Sequence, residues 1–385
     1  MRLNVDGVLA ALFATFIVLT APSAWAQLFE TRAQQAYLVE ADTGSVLFAL
    51  NENEKVPPAS LAKLMTMEVV FNAIKSGRLT LDDEFAVSEN AWRNGGAMSG
   101  GSTMFAELKS SIALRDLIQG VIVQSANDGC IIIAEGMAGS EENFAKLMTE
   151  RAAALGLQNT TFGNSTGLPH PDSAVTMRDL VLLSRHIYQT YPEFYHYYSQ
   201  EDFTWNKITQ RNRNPLLKLD IGVDGLKTGY TEASGYAIVS SINREGRRLF
   251  LAMSGLESQD ARREEARKML EWGIRAFERK TLFDDDEIVA FADTYGGVGP
   301  VSLKAARKVD IFLPISNPDR LKARVHYKWP IRPPVEEGEE LGRLEVFIGE
   351  TLSLEEPLFA AQPVKKGPIH TQALDALLEL VQFWN

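Results

Sequence analysis

Three short clusters in this 385-residue chain carry side chains suited to nucleophilic chemistry. The first is Pro57-Pro58-Ala59-Ser60-Leu61-Ala62-Lys63, in which the prolines end an extended segment and Ser60 opens a helix. Residues three apart share a helix face, so the Lys63 amine is expected beside the Ser60 hydroxyl. An alcohol is a poor nucleophile until a base takes its proton, and a lysine serves as that base only when burial or another cation lowers its pKa. The second cluster, Ser125-Ala126-Asn127, brings a hydroxyl and an amide directly out of the apolar run Leu117–Val123. The third, Asp224-Gly225-Leu226-Lys227-Thr228-Gly229-Tyr230-Thr231, offers Lys227 and Thr228 to a carboxylate, with Gly229 allowing a substrate backbone to approach closely. Each cluster alone also has an ordinary reading: Ser60 as a cap with a solvated Lys63, Ser125 and Asn127 as turn formers, Lys227 as the guard of a strand edge.

Taken together, Ser-x-x-Lys, Ser-x-Asn and Lys-Thr-Gly in this order form the signature of class A β-lactamases and penicillin-binding proteins. Ser125 through Cys130, Asn212-Arg213-Asn214, Val223 through Thr231, and the Glu271-Trp272-Gly273 helix with the β-region after it extend the likeness. With these the chain resembles the low-molecular-mass class C penicillin-binding proteins, serine-type D-alanyl-D-alanine carboxypeptidases of peptidase family S11, over almost all of its mature length. The resemblance implies an α+β fold: a transpeptidase domain with a mixed sheet packed by helices, a small all-β domain and a C-terminal amphipathic helix. It also implies that Ser60 is acylated by the penultimate D-alanine of a peptidoglycan pentapeptide stem or by a β-lactam. Lys63 would be the base, Ser125 the proton relay to the leaving D-alanine, and Asn127 and Lys227 the orienting groups. Lys227 is further expected to lower the Lys63 pKa. The oxyanion hole would be the backbone N–H groups of Ser60 and Tyr230, the latter standing where relatives often carry histidine. Lys227, Thr228, Gly229 and Arg262 would bind substrate; Arg262 is expected at its free carboxylate, with Arg263 the rival and an exposed helix start the plain alternative.

Other chemistries lack their parts. A class A β-lactamase needs Glu-x-x-x-Asn between the second and third clusters, and no glutamate from Glu135 to Glu201 has asparagine four residues on. A D,D-endopeptidase acting on cross-linked stems would use the same residues, but such relatives generally lack the second domain. A non-catalytic envelope protein that binds peptidoglycan or penicillin is the third reading. Gly95 through Ser102 is not followed by Gly-Lys-Ser/Thr, so it reads as a mobile loop near the site rather than a phosphate loop. The five histidines are scattered and neither His-Glu-x-x-His nor Cys-x-x-Cys occurs, so no metal or cofactor is expected. A net charge of -11 excludes a nucleic-acid backbone as partner. The single cysteine, Cys130, forms no intramolecular disulfide and is expected as a buried thiol.

The elements that must position these groups follow from periodicity. Ala36–Ala41 and Ser45–Leu50 flank Asp42-Thr43-Gly44 as a hairpin. From Ser60 to about Gln200 the apolar spacing is helical, with a capping box at Thr176–Asp179. Strand character returns at 227–242 and 248–254, and an amphipathic helix at 261–277 closes a catalytic domain assigned to 27–280. Alternating runs such as Val309, Ile311, Leu313 and Val325, Tyr327, Trp329 make 284–365 a β-domain. Residues 1–26 read as an export signal cut after Ala24-Trp25-Ala26, placing the protein in the periplasm. Residues 367–385 put Leu374, Leu377, Leu378, Val381 and Trp384 on one helical face, suited to the outer face of the cytoplasmic membrane, although Asp375 and Glu379 leave packing on protein as the alternative.

Overall fold

The computed structural model describes residues 29–316 and 321–368; the expected export signal at 1–26, and all but the first two residues of the expected helix at 367–385, lie outside the described residues. Gln35–Glu40 and Val46–Leu50 pair as a hairpin around Asp42-Thr43-Gly44, where Gly44 takes φ +77°, a conformation free of Cβ penalty only for glycine. They extend a five-stranded sheet in the order Val46–Leu50, Gln35–Glu40, Arg247–Leu256, Gly235–Arg244, Val223–Thr231. Every pairing in it is antiparallel, which corrects the expectation of a mixed sheet. The reason lies in the connections: short turns join the last three strands, and a parallel pair would need a long crossover.

Helices cover both faces of this sheet. On one, helix Gln259–Arg275 lies so close that a Cβ on Gly273 would come within 2.7 Å of Leu249 and 2.8 Å of Leu38. The next residue along the strand, Phe250, points to the other face and meets Tyr188 of helix Met177–Thr190, ring centroids 5.9 Å apart. Helices Lys63–Lys75, Leu114–Val123, Asn127–Ala138 and Glu141–Ala154 contribute to the same apolar core through Phe71, Leu117, Ile132 and Phe144. Thr176 does cap its helix, accepting from Asp179 N at 3.1 Å. Asp179 does not complete the box: its carboxylate instead accepts from Asn159 N and Thr160 Oγ1, tying down the preceding loop.

Helix Lys63–Lys75 also carries a buried acid. Glu68 receives Arg151 Nε and Nη2 at 2.9 and 2.8 Å and the Tyr191 hydroxyl at 2.9 Å. His186 Nε2 lies 3.3 Å away, misaligned for a hydrogen bond. Burial pushes the Glu68 carboxyl up, and its polar neighbours more than cancel that, leaving it below the ordinary carboxylate range.

Beyond the helix, Phe277–Phe283 straddles the expected domain boundary and pairs with Val309–Pro314. A second five-stranded sheet follows in the order Ile288–Ala292, Val301–Ala305, Thr351–Ala360, Glu340–Ile348, Leu321–Tyr327. Its core gathers Leu303, Ile311, Leu344, Val346 and Leu358. Val309, Ile311 and Leu313 point inward as their alternation suggested, whereas Tyr327, the last residue of the edge strand, and Trp329, two residues beyond it, are exposed. Two hydrogen bonds fasten this domain to the first hairpin, from Phe312 N to Ser45 Oγ at 3.3 Å and from Ser353 Oγ to Val46 O at 3.0 Å.

Candidate active site

Ser60 sits in a 3₁₀ turn, Ala59–Ala62, that runs directly into helix Lys63–Lys75. In a 3₁₀ turn side chains at i and i+3 eclipse, which brings Lys63 Nζ to 3.0 Å from Ser60 Oγ, closer registration than an α-helix would give. The Lys63 nitrogen is buried and also donates to Asn127 Oδ1 at 2.9 Å and Thr166 O at 2.6 Å. The last two partners are carbonyl oxygens that only accept. In its neutral form the amine has two hydrogens and one lone pair, so with both hydrogens on these carbonyls the lone pair would face the Ser60 hydroxyl. That is the geometry of a base waiting on its alcohol.

Asn127 reaches Lys63 because the helix Leu114–Val123 stops and the chain reverses at Ser125, whose φ is +66°. Ser125 is buried at this bend, and no hydrogen bond joins its hydroxyl to Lys63 or Lys227 among the described residues. Asp128 holds the next layer in place, accepting from Thr103 Oγ1, Met104 N, Ala106 N and Gly129 N at 2.6–3.0 Å. The Gly95–Ser102 loop is beside the site as expected, but its ends are tied: Asn127 N donates to Ser102 O, and a Cβ on Gly95 would meet Asp128 N at 2.4 Å.

The third cluster lies on Val223–Thr231, the edge strand of the sheet. Gly229 also has a packing role on the strand itself. A Cβ there would stand 3.0 Å from Ala59 Cβ and 3.3 Å from Ser60 N, so the absent side chain admits the turn that carries Ser60. Lys227 is buried and donates to Thr228 O at 3.1 Å. Tyr230 is 53% exposed with its ring against Tyr236, centroids 4.4 Å apart. Arg262 is buried, not an exposed helix start; its Nη1 donates to Gly229 O at 3.4 Å while its buried Nε has no partner among the described residues. Arg263 is occupied by Asp260 and Glu264.

The electrostatics follow from burial. The partners of Lys63, Lys227 and Arg262 are a hydroxyl, an amide and backbone carbonyls, with no carboxylate among the described residues. Burial pulls Lys63 below its ordinary 10.5, against the pull of Cys130, Glu141 and Asp128, with Arg213 adding to the lowering. Burial pulls Lys227 well below 10.5, helped by the charges of Lys63 and Arg213. Lys227 was expected to lower Lys63; burial is the first cause of the lowering at Lys63, and the Lys63 charge adds to the lowering at Lys227. Burial likewise lowers Arg262 to about 10 and pushes the Cys130 thiol up to about 12, leaving that thiol inert.

Ser60 and Asn127 border a cleft of about 710 Å³, lined also by Tyr230 through Ala233 and Gly167 through Pro171. Three contributors escaped the sequence reading. Thr166 acts through its backbone carbonyl, which no residue type reveals. Arg213 was visible only as part of a three-residue likeness. Asp128 did leave a trace, as an acid opening an otherwise apolar helix.

The chain matches the family model described as D-alanyl-D-alanine carboxypeptidase over residues 20–257, and the one described as penicillin-binding protein 5, C-terminal domain, over residues 277–366. It is 34% identical over 380 residues to the D-alanyl-D-alanine carboxypeptidase DacC of Escherichia coli (strain K12), covering 96% of this chain and 95% of that protein. A D-alanyl-D-alanine endopeptidase of Pseudomonas aeruginosa is 29% identical over 229 residues, covering 56% of this chain and 69% of that one. Among solved structures, penicillin binding protein 5 from Haemophilus influenzae superposes with a TM-score of 0.73 at 32% identity, covering 88% of this chain and 99% of the other. Penicillin binding protein 6B from Escherichia coli gives 0.67 at 34% identity, covering 86% and 95%.

Proposed function

This chain belongs to the D-alanyl-D-alanine carboxypeptidase family, and from that premise we propose that Ser60 is its nucleophile and Lys63 the base that activates it. The protein is a serine-type carboxypeptidase that hydrolyses the terminal D-Ala-D-Ala bond of peptidoglycan stems. Ser60 Oγ attacks the penultimate D-alanine carbonyl as its proton passes to Lys63 Nζ, 3.0 Å away. The backbone N–H groups of Ser60 and Tyr230 take the developing oxyanion. Ser125 relays that proton from the Lys63 ammonium to the departing amine, D-alanine leaves, and water, deprotonated by the again neutral Lys63, cleaves the ester, the proton returning to Ser60 Oγ. Asn127 fixes the Lys63 amine. Lys227, Thr228 and Arg262 receive the free carboxylate, and Gly229 serves that site by letting the strand close on the Ser60 turn.

The observation that carries this reading is the buried Lys63 amine, 3.0 Å from Ser60 Oγ, whose other two contacts are the carbonyl oxygens of Asn127 and Thr166. The unpaired Nε of Arg262 supports a substrate that ends in a carboxylate. The same Ser60 accepts penicillins as acylating agents. Residues 1–26 direct export, 27–280 form the catalytic domain and 284–365 the β-domain, and 367–385 hold the protein on the outer face of the cytoplasmic membrane.

The test is D-alanine release from a diacyl-Lys-D-Ala-D-Ala peptide by the full chain beside its Ser60→Ala variant. Release that vanishes in the variant establishes both reaction and nucleophile. No release, with Ser60 still labelled by a fluorescent penicillin, turns the reading toward an endopeptidase or a penicillin-reactive binding protein.

A further inference from the structure

Among the described residues that line the cleft over Ser60, one is an acid, Glu232. It is the first residue of the turn between strands Val223–Thr231 and Gly235–Arg244, a turn fastened by Thr231 Oγ1 and Ser234 Oγ at 2.7 Å and by Ser234 N donating to Thr231 Oγ1 at 3.1 Å. Its position is therefore fixed by the backbone. Glu232 is exposed, and its carboxylate has no cationic partner among the described residues. Three other acids near this sheet are matched: Asp224 with Arg248, Glu265 with Arg32, Glu264 with Arg267. The same cleft is also lined by the apolar Leu168-Pro169 segment, with Leu168 45% exposed. An aliphatic stem lies comfortably on such a segment while its charged tip reaches beyond it.

The spacing fits a particular group. Gly229 marks the nucleophile, since a Cβ there would be 3.3 Å from Ser60 N. Three residues further, at roughly 3.3 Å each, Glu232 stands about 10 Å along the cleft, on the side away from Lys227 and Thr228. In a stem whose scissile carbonyl is at Ser60, the preceding residue has its Cα roughly 5 Å away, and an extended four-carbon side chain carries an amine about 6 Å beyond that.

We propose that Glu232 binds the terminal ammonium of a diamino-acid side chain at the stem position just before the two D-alanines, so that stems with this amine free are the preferred substrates. The proposal rests on the carboxypeptidase reading above. In a cross-linked stem the same nitrogen is acylated and uncharged, and the contact is lost.

The test compares D-alanine release from Nα-acetyl-L-Lys-D-Ala-D-Ala and from the Nα,Nε-diacetyl peptide by the full chain. The wild-type kcat/KM should favour the free amine about five-fold at low ionic strength, through KM, and the preference should shrink with added salt. The ratio should fall to near one in Glu232→Gln and below one in Glu232→Lys. A wild-type ratio of one, or a five-fold ratio that survives Glu232→Gln, overturns the proposal. Titration of both peptides into the Ser60→Ala variant by calorimetry gives a readout independent of turnover. Tighter binding of the free amine there, with no hydrolysis of either peptide by the wild type, would sink the carboxypeptidase reading and leave the amine site standing; equal binding would sink the amine site.

Discussion

Lys63 and Glu68 stand on one helix, both buried, and are treated in opposite ways. Glu68 is met by a two-pronged guanidinium and a phenol, so the chain has closed its electrostatic account there. Lys63 has no acid beside it; its neighbours are an amide, a carbonyl, a hydroxyl and the equally unmatched Lys227. A buried charge that is fully paired holds elements together, while one left without a counter-charge is held in a form that reacts. The cost of the second arrangement is borne by the packing around the first, because helix Lys63–Lys75 is anchored through Glu68 to Arg151 of helix Glu141–Ala154.

That contrast can be broken from either side. Lys63→Ala should lower kcat/KM about 10³-fold, with the thermal midpoint unchanged or raised, since a desolvated amine is removed; a clear loss of stability would make Lys63 structural. Arg151→Ala should do the reverse, costing about 3 kcal/mol in chemical denaturation by stranding the Glu68 carboxylate, while the folded fraction keeps its kcat/KM within about two-fold. Arg262→Gln should raise KM about ten-fold for a peptide ending in a carboxylate and far less for its C-terminal amide; an equal rise for both would place Arg262 outside carboxylate binding. The smallest effect is in pH. Because the folded Lys63 and Lys227 lie below 10.5, the unfolded chain binds more protons between the lowered values and 10.5, so stability rises with pH across that window. Lys63→Met should flatten the rise by on the order of 1 kcal/mol, measured by denaturation across a pH series.

The same two residues show what was legible in advance. Ser60 and Lys63 could be paired because a three-residue spacing has one geometric meaning in any helical turn. Leu249 and Phe250 face opposite helices as strand alternation requires. Thr166 could not be foreseen, since it works through a carbonyl that every residue owns, and the counterparts of Glu68 are 83 and 123 residues away. The packing of the Ser60 turn on Gly229 could not be read ahead, because a missing side chain says that something is close and not what it is. Asp179 was lost from its capping box to Thr160 for the related reason that local propensity competes with tertiary hydrogen bonds.

Cys130, the chain's one thiol, is fully buried and pushed up to about 12, so it is silent toward maleimides and iodoacetamide at neutral pH. A cysteine introduced at an exposed position such as Met98, at the tip of the loop beside Asn127, would then be the only one to accept a dye or spin label. The native sequence thus already provides a single-label background for spectroscopy of the cleft, without prior removal of any residue.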